Sequence, residues 1–204
     1  MTEHTTMPNH HHDYPGFSGP SGLVAALSMI TGRKGDARLA VRLCGVGAGD
    51  AVVDLGCGPG VAARYAARLG AQVTAVDPAP LMLRVARLLT RRSDNLEYVI
   101  GRAEAIPVPD HSASAVWSIA CVHHWADLDA GLEEARRVLR AGGRLLAIER
   151  RTAPGADGLA SHGWTDAQAD AFAERCREHG LVDVRRDRNT TERGSMLSVI
   201  ATAP

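Results

Sequence analysis

Two apolar rhythms take turns along this chain. Val52, Val53 and Leu55, then 72–77, then 115–122, and finally the LLAIE run ending at Glu149 are short, mostly aliphatic segments, as expected of parallel strands covered on both faces. Between them the period lengthens to that of a helix. A helix over 80–90 puts Leu81, Val85, Leu88 and Leu89 on one stripe and turns Arg84, Arg87 and Arg91 toward solvent. Another starts with Asp36 as its cap, runs to Cys44 and stops at Gly45; a third, over 61–69, is closed by Gly70. The segment 129–140 carries Glu133 and Glu134 early and Arg136, Arg137 and Arg140 late, the order a helix macrodipole favours. A helix over 165–179 precedes two last strands, 182–186 and 196–202, joined by the polar stretch 189–194, which is long enough for a hairpin. Strand and helix alternating through short links predict an α/β fold with a parallel sheet covered on both sides.

Composition narrows the class. With 204 residues, 45% of them apolar, the chain has material for one sizeable core, and 14–204 is expected to be a single domain. Lys plus Arg and Asp plus Glu number 23 each, so no basic excess points to nucleic acid. Lys34 is the only lysine, and this arginine and alanine usage fits a GC-rich bacterial genome. Cys44, Cys57, Cys121 and Cys176 have no C-x-x-C spacing, and no signal peptide or apolar span of about 20 residues is visible. A cytoplasmic location without membrane insertion is therefore expected. Residues 1–13 hold His4, His10, His11 and His12 without a hydrophobic period and read as a disordered, exposed tail; a closed zinc site there would need four convergent ligands.

The chemistry is concentrated at Asp54-Leu55-Gly56-Cys57-Gly58-Pro59-Gly60. A buried strand runs into glycines spaced G-x-G-x-G, where the backbone lacks Cβ atoms and something can approach closely. A dinucleotide fingerprint would be G-x-G-x-x-G without a preceding acid. Asp54 repels a pyrophosphate and attracts an ammonium.

This turn resembles the first motif of class I S-adenosylmethionine-dependent methyltransferases, and later segments resemble the family's other motifs in order. Asp77 ends a strand 21 residues after Gly56. Gly101-Arg102-Ala103-Glu104-Ala105-Ile106-Pro107 resembles the segment bordering the adenine. The strand 115–122 enters His123-His124-Trp125, and LEEARRVLRAGGRLLAIE over 132–149 resembles the helix, Gly-Gly turn and fifth strand of the group that includes quinone-biosynthesis methyltransferases. The resemblance is strong over about 36–150. It implies a Rossmann-like fold: a seven-stranded, mostly parallel sheet with one antiparallel strand in the C-terminal hairpin and helices on both faces.

The resemblance also implies roles. S-adenosylmethionine would be held by Asp54, Gly56, Gly58 and Gly60 at its amino-acid end and by Asp77 and Pro78 at the ribose. Ala103 and Glu104 would border the adenine, Met82 would pack on its face or in the core, and Cys121 would lie near the sulfur. Many relatives have an acid where Arg102 stands, and an arginine cannot accept a bond from the adenine amine. Asp77 has a bland alternative, capping the next helix.

His123 and His124 emerge at the sheet edge nearest the expected methyl group. A histidine suits proton acceptance from a hydroxyl at neutral pH, although either of these could instead anchor the loop. Glu149 has three readings: orienting such a histidine, holding with it a divalent cation such as magnesium against vicinal hydroxyls, or forming a salt bridge to Arg150 or Arg151, which is the preferred one. No residue is assigned as a metal ligand. Trp125 offers a stacking platform for an acceptor if exposed, and Tyr14 lies in a segment suited to a lid. With 3 Trp, 3 Tyr and 2 Phe, a pocket for a polyprenyl tail is hard to line. The expected activity is O-methylation of a small polar molecule, a sugar, glycoside or phenol, with C-methylation of a quinone- or lipid-like acceptor and cofactor binding without transfer as alternatives. No cap domain is inserted, so the N-terminal segment, the 150–165 loop or a homodimer partner must complete the acceptor site.

Overall fold

A computed structural model describes residues 6–11, 19–90 and 93–204. The aliphatic run at the start of the glycine motif forms β1 (Ala51–Leu55), and the sheet grows from it in both directions. On one side lie β2 (Gln72–Asp77) and β3 (Leu96–Ile100). On the other lie β4 (Ala113–Ile119), β5 (Leu139–Arg150), β7 (Gly194–Thr202) and β6 (Val182–Thr191), giving the order β3-β2-β1-β4-β5-β7-β6. Strands β1 to β5 pair in parallel, while β7 runs antiparallel to both β5 and β6, so the expected single antiparallel strand is present. The order reverses between β1 and β4. That is where an open α/β sheet leaves a crevice beyond its strand ends.

Helices cover both faces. On one, α2 (Lys34–Cys44) and α3 (Val61–Arg68) bury Leu39, Ala40, Ala63 and Ala66 against Val52, Val73 and Trp117. The alanines let α3 lie close to the sheet. On the other face, α5 (Leu128–Val138) and α6 (Asp166–Glu178) bury Leu132, Val138 and Phe172 against Val53, Val116 and Leu145. Two further helices, α1 (Gly19–Gly32) and α4 (Pro80–Leu89), pack on each other near the β2 end. Among the described residues no helix is long and apolar enough to cross a membrane.

Some local expectations are revised. Asp36 does not cap α2: it lies inside the first turn, and its buried carboxylate accepts from Thr191 Oγ1 at 2.9 Å and Arg193 Nη1 at 2.8 Å, tying α2 to the β6–β7 hairpin. The hairpin strands extend through the polar residues expected to form a long connection, leaving Glu192 and Arg193 as the turn. Gly142 and Gly143 lie inside β5, beside a shift in its register with β4, rather than in a turn before it. Residues 6–11, within the stretch expected to be a disordered tail, are held by side-chain bonds. Trp164 Nε1 donates to the Pro8 carbonyl at 2.8 Å and Gln168 Nε2 to the Met7 carbonyl at 3.1 Å.

Candidate active site

Beyond the end of β1 the chain turns through Gly56, Gly58 and Gly60, all with positive φ (67°, 52° and 74°). Space as well as backbone conformation demands glycine here: a Cβ on Gly56 would collide with Cys121 Sγ, and one on Gly60 with the Tyr98 ring. The turn is fastened to β2. Gly56 and Cys57 donate their amides to the Val76 carbonyl, and the Gly58 amide donates to Asp77 Oδ2 at 2.8 Å. The other Asp77 oxygen accepts from the Ala79 amide at 2.8 Å, so one carboxylate organises both the glycine turn and the entry to α4. Burial pushes the Asp77 carboxyl above its ordinary range, against the pull of those two amides.

Asp54 sits beneath this turn, 2% exposed. Its register partner on β4 is Trp117, and neither Asp54 Oδ2 nor Trp117 Nε1 has a hydrogen-bond partner among the described residues. Burial pushes the Asp54 carboxyl up to about 7, with the nearby Trp117 indole and Ala63 amide drawing it partly back. An unpartnered carboxylate oxygen in a dry interior is costly, and a cation satisfies it. Asp54, Gly56, Cys57 and Ile119 line one small cavity together with Arg33, from the link between α1 and α2. Arg33 Nη1 donates to the Ile119 carbonyl at 3.1 Å. An acid and a base facing one hollow fit the zwitterionic amino-acid end of S-adenosylmethionine.

At the end of β4, Ala120 adopts φ 51°, an uncommon conformation for a residue with a Cβ, and turns the chain so that Cys121 meets Gly56. A single 3-10 turn, Val122–His124, follows. His123 Nδ1 donates to Glu149 Oε2 at 2.9 Å, and its amide reaches Glu149 Oε1 at 3.5 Å. Both groups are buried. Burial alone would raise the Glu149 carboxyl, but the His123 imidazole beside it holds it below the usual carboxylate range. His123 Nε2 has no partner among the described residues. Burial, with the neighbouring His123, lowers His124 to about 3.

The preferred expectation for Glu149 is thereby corrected. Arg150 instead donates to the carbonyls of Leu159, Ala160 and His162, and Arg151 pairs with Asp166. With both Glu149 oxygens turned to His123, this carboxylate is not placed to hold magnesium against a substrate.

Two segments converge on this edge. The 6–11 strip contributes His11, whose amide donates to the His123 carbonyl at 2.8 Å and whose carbonyl lies 3.4 Å from His124 Nδ1. The 153–163 loop contributes His162, lowered to about 4 by burial and by His123 and His11. Its ring stacks on that of His11 at a centroid distance of 4.5 Å.

Other expected site residues lie elsewhere. Trp125 is 3% exposed, packed in the core with its ring edge-on to Phe172, and gives no platform for an acceptor; Gly131 makes room for it. Met82 is fully enclosed, whereas Pro78 is exposed at the strand end. Glu104 accepts from the Ala126 and Asp127 amides at 2.7 and 3.2 Å, which fixes the approach to α5, and Ala103 lies buried beside it. Burial pushes the Cys121 thiol up to about 12, so it stays protonated. Tyr14 lies outside the described residues. Arg33 and His162 were not singled out by the sequence, where each stands alone in a segment of no recognisable motif, and His11 was read only as part of an exposed histidine-bearing tail.

Comparison with known proteins bears on the family and the fold. A methyltransferase-domain family model matches residues 53–147. The chain is 38% identical over 112 residues to a demethylmenaquinone methyltransferase of Tropheryma whipplei, covering 55% of this chain and 46% of that protein. It is 40% identical over 108 residues to a malonyl-[acyl-carrier protein] O-methyltransferase of Serratia marcescens, covering 52% and 41%. It thus spans less than half the length of these curated relatives. A SAM-dependent methyltransferase structure from Aquifex aeolicus superposes with a TM-score of 0.74 at 17% identity, over 89% of this chain and 98% of that one, and so shares the fold. The matched segment begins in β1 and ends in β5, taking in the glycine turn, Asp77 and the histidine edge, and over residues 53–147 the chain matches the methyltransferase-domain family on a fold shared with a SAM-dependent methyltransferase.

Proposed function

We propose that this protein transfers a methyl group from S-adenosylmethionine to a hydroxyl of a small polar acceptor, with His123 as the proton acceptor. When bound, the cofactor supplies an electrophilic methyl on a sulfonium sulfur, which keeps the electron pair of the broken S–C bond and leaves as a thioether. Asp54 and Arg33 bind the charged amino-acid end, and Asp54 gains the cation that its unpartnered oxygen lacks. Asp77 has acceptor capacity left beyond its two amide bonds, enough for the ribose diol. The acceptor oxygen forms the new O–C bond in line with the departing sulfur while its proton passes to His123 Nε2.

The observation that carries this reading is the buried Glu149–His123 pair, whose Nε2 has no partner among the described residues, one residue from His124 and two from the cysteine that touches Gly56. Glu149 fixes the Nδ1–H tautomer and favours the imidazolium that forms. His124, lowered to about 3, is a poor base at neutral pH. A second reading, C-methylation of a quinone-like ring, is favoured by the similarity to a demethylmenaquinone methyltransferase. It would use the same histidine to remove a ring proton.

Transfer of labelled methyl from S-adenosylmethionine to hydroxyl acceptors and to quinols tests both. His123→Ala is expected to leave cofactor affinity nearly intact and lower the transfer rate about 10²–10⁴-fold, the usual share of general-base catalysis. Turnover within a few-fold of wild type on every acceptor refutes the assignment.

A further inference from the structure

We infer that His123, His124 and His162 form a binding site for one divalent transition-metal ion of the zinc, cobalt or nickel class. One imidazole nitrogen from each residue lies within 4.8 Å of the others, on two separate elements: the turn after β4 and the 153–163 loop. Metal–nitrogen bonds of about 2.0–2.1 Å in a tetrahedral shell require nitrogens roughly 3.4 Å apart, so small ring rotations close the set. Proximity alone is weak evidence, because histidines also cluster by stacking. The decisive observation is His123, whose side chain is 3% exposed. Its Nδ1 is committed to Glu149 and its Nε2 has no partner among the described residues. A carboxylate behind an imidazole, directing the far nitrogen outward, is the supporting arrangement of histidine–metal sites. His124 repeats it in weaker form, its Nδ1 donating to the His11 carbonyl at 3.4 Å.

Donor chemistry selects the ion. Three neutral nitrogens suit zinc, cobalt or nickel and do not suit magnesium or calcium, which take oxygen ligands. Three protein ligands leave a fourth position for water or a substrate oxygen. The inference rests on ring positions and stands apart from the methyl-transfer reading, but the two meet at one atom. A metal on Nε2 removes the proton acceptor, so the metal-bound form is expected to be silent in transfer.

The test uses the whole chain, with its N-terminal histidines kept in every variant. Calorimetric titration with Zn2+ and the visible spectrum with Co2+ are expected to show one ion per chain, with tetrahedral absorption and no competition from excess Mg2+. His162→Ala and His124→Ala should each weaken Zn2+ binding by more than the roughly 10–100-fold that loss of a supporting residue costs, and Glu149→Gln by about that amount. Circular dichroism and thermal melts verify folding, and the half-buried loop position of His162, outside both hydrophobic clusters, gives a variant that leaves the core untouched. Absence of stoichiometric binding, or affinity that His162→Ala and His124→Ala leave within about twofold, overturns the site. In transfer assays Zn2+ should inhibit the wild type and inhibit His162→Ala far less. Undiminished transfer by the Zn2+-loaded wild type would leave the metal site standing and refute His123 as the base.

Discussion

Replacing Asp54 by asparagine isolates what the buried acid costs the cofactor-free protein. Raising a carboxyl from 3.8 to about 7 disfavours its charged form in the fold by about 4 kcal/mol, at about 1.4 kcal/mol for each pH unit. Between those two values the folded chain holds a proton that the unfolded chain has released. Stability contributed by this group is therefore full below about pH 4, falls by about 1.4 kcal/mol per pH unit, and levels off above about pH 7. The amide of the Asp54→Asn variant does not titrate and has no such dependence. Asp77, Arg33 and the remaining titratable groups are common to both proteins and cancel to first order in the difference. A constant offset is expected where the new amide meets the Trp117 indole, and it does not alter the slope. Urea denaturation of both proteins from pH 4.5 to 8.5 should show the variant gaining on wild type by roughly 3 kcal/mol between pH 4.5 and 7, then holding level. Binding supplies the complementary measurement. A cationic ligand draws the proton off Asp54, so calorimetry at pH 6 in buffers of different ionisation enthalpy should register proton release that Asp54→Asn reduces and that vanishes at pH 8.5. A stability gap flat within about 0.5 kcal/mol across the range would mean that the carboxylate is charged and hydrated throughout, and would refute the argument.

Two further outcomes follow from the same turn. Asp77→Ala is expected to weaken S-adenosylmethionine binding by about 1.5–3 kcal/mol in calorimetry, and to lower stability by about 1–3 kcal/mol because the Gly58 and Ala79 amides lose their acceptor; unchanged affinity would remove the ribose role. Gly60→Ala should destabilise the fold by about 1–3 kcal/mol in urea denaturation, since φ is 74° and the new methyl meets the Tyr98 ring, and Tyr98→Ala in the same background should recover only the steric part.

How much of this was legible in the sequence depended on where each residue's partners lie. The strand, glycine turn and acids at 54 and 77 were readable because their determinants are local: strand residues, the φ that glycine permits, and a spacing set by one βαβ unit. Helix α1 escaped notice, since Gly19–Gly32 is bounded by glycines and has no acid in its first turn, no base in its last and no polar face to set a period. The outer part of β6 was hidden for the opposite reason. It is an edge strand of mostly polar residues, held by its neighbour's backbone rather than by burial. Trp125 and Asp36 were misplaced because a residue type says what a side chain is able to do and not whether the fold encloses it. Glu149 illustrates the same limit: its arginine neighbours in sequence turn away, while its partner lies 26 residues back, in the turn that follows the adjoining strand. The convergence of His162 and His11 on His123 is wholly tertiary.

The loop that delivers His162 is pinched shut at its base. Thr152 donates its amide to Trp164 and Trp164 returns one to Arg150, at 2.8 and 2.9 Å, and Gly163, with φ 139°, lets the two backbones approach. Everything from Ala153 to His162 is therefore a closed excursion whose ends are fixed independently of its length. For such a loop each doubling of length costs only about 0.6 kcal/mol of closure entropy. The exposed tip around Gly155 and Gly158 is accordingly the place where this chain can accept an insertion, a graft or a protease cut while the sheet stays in register and the imidazole at the loop's root keeps its place.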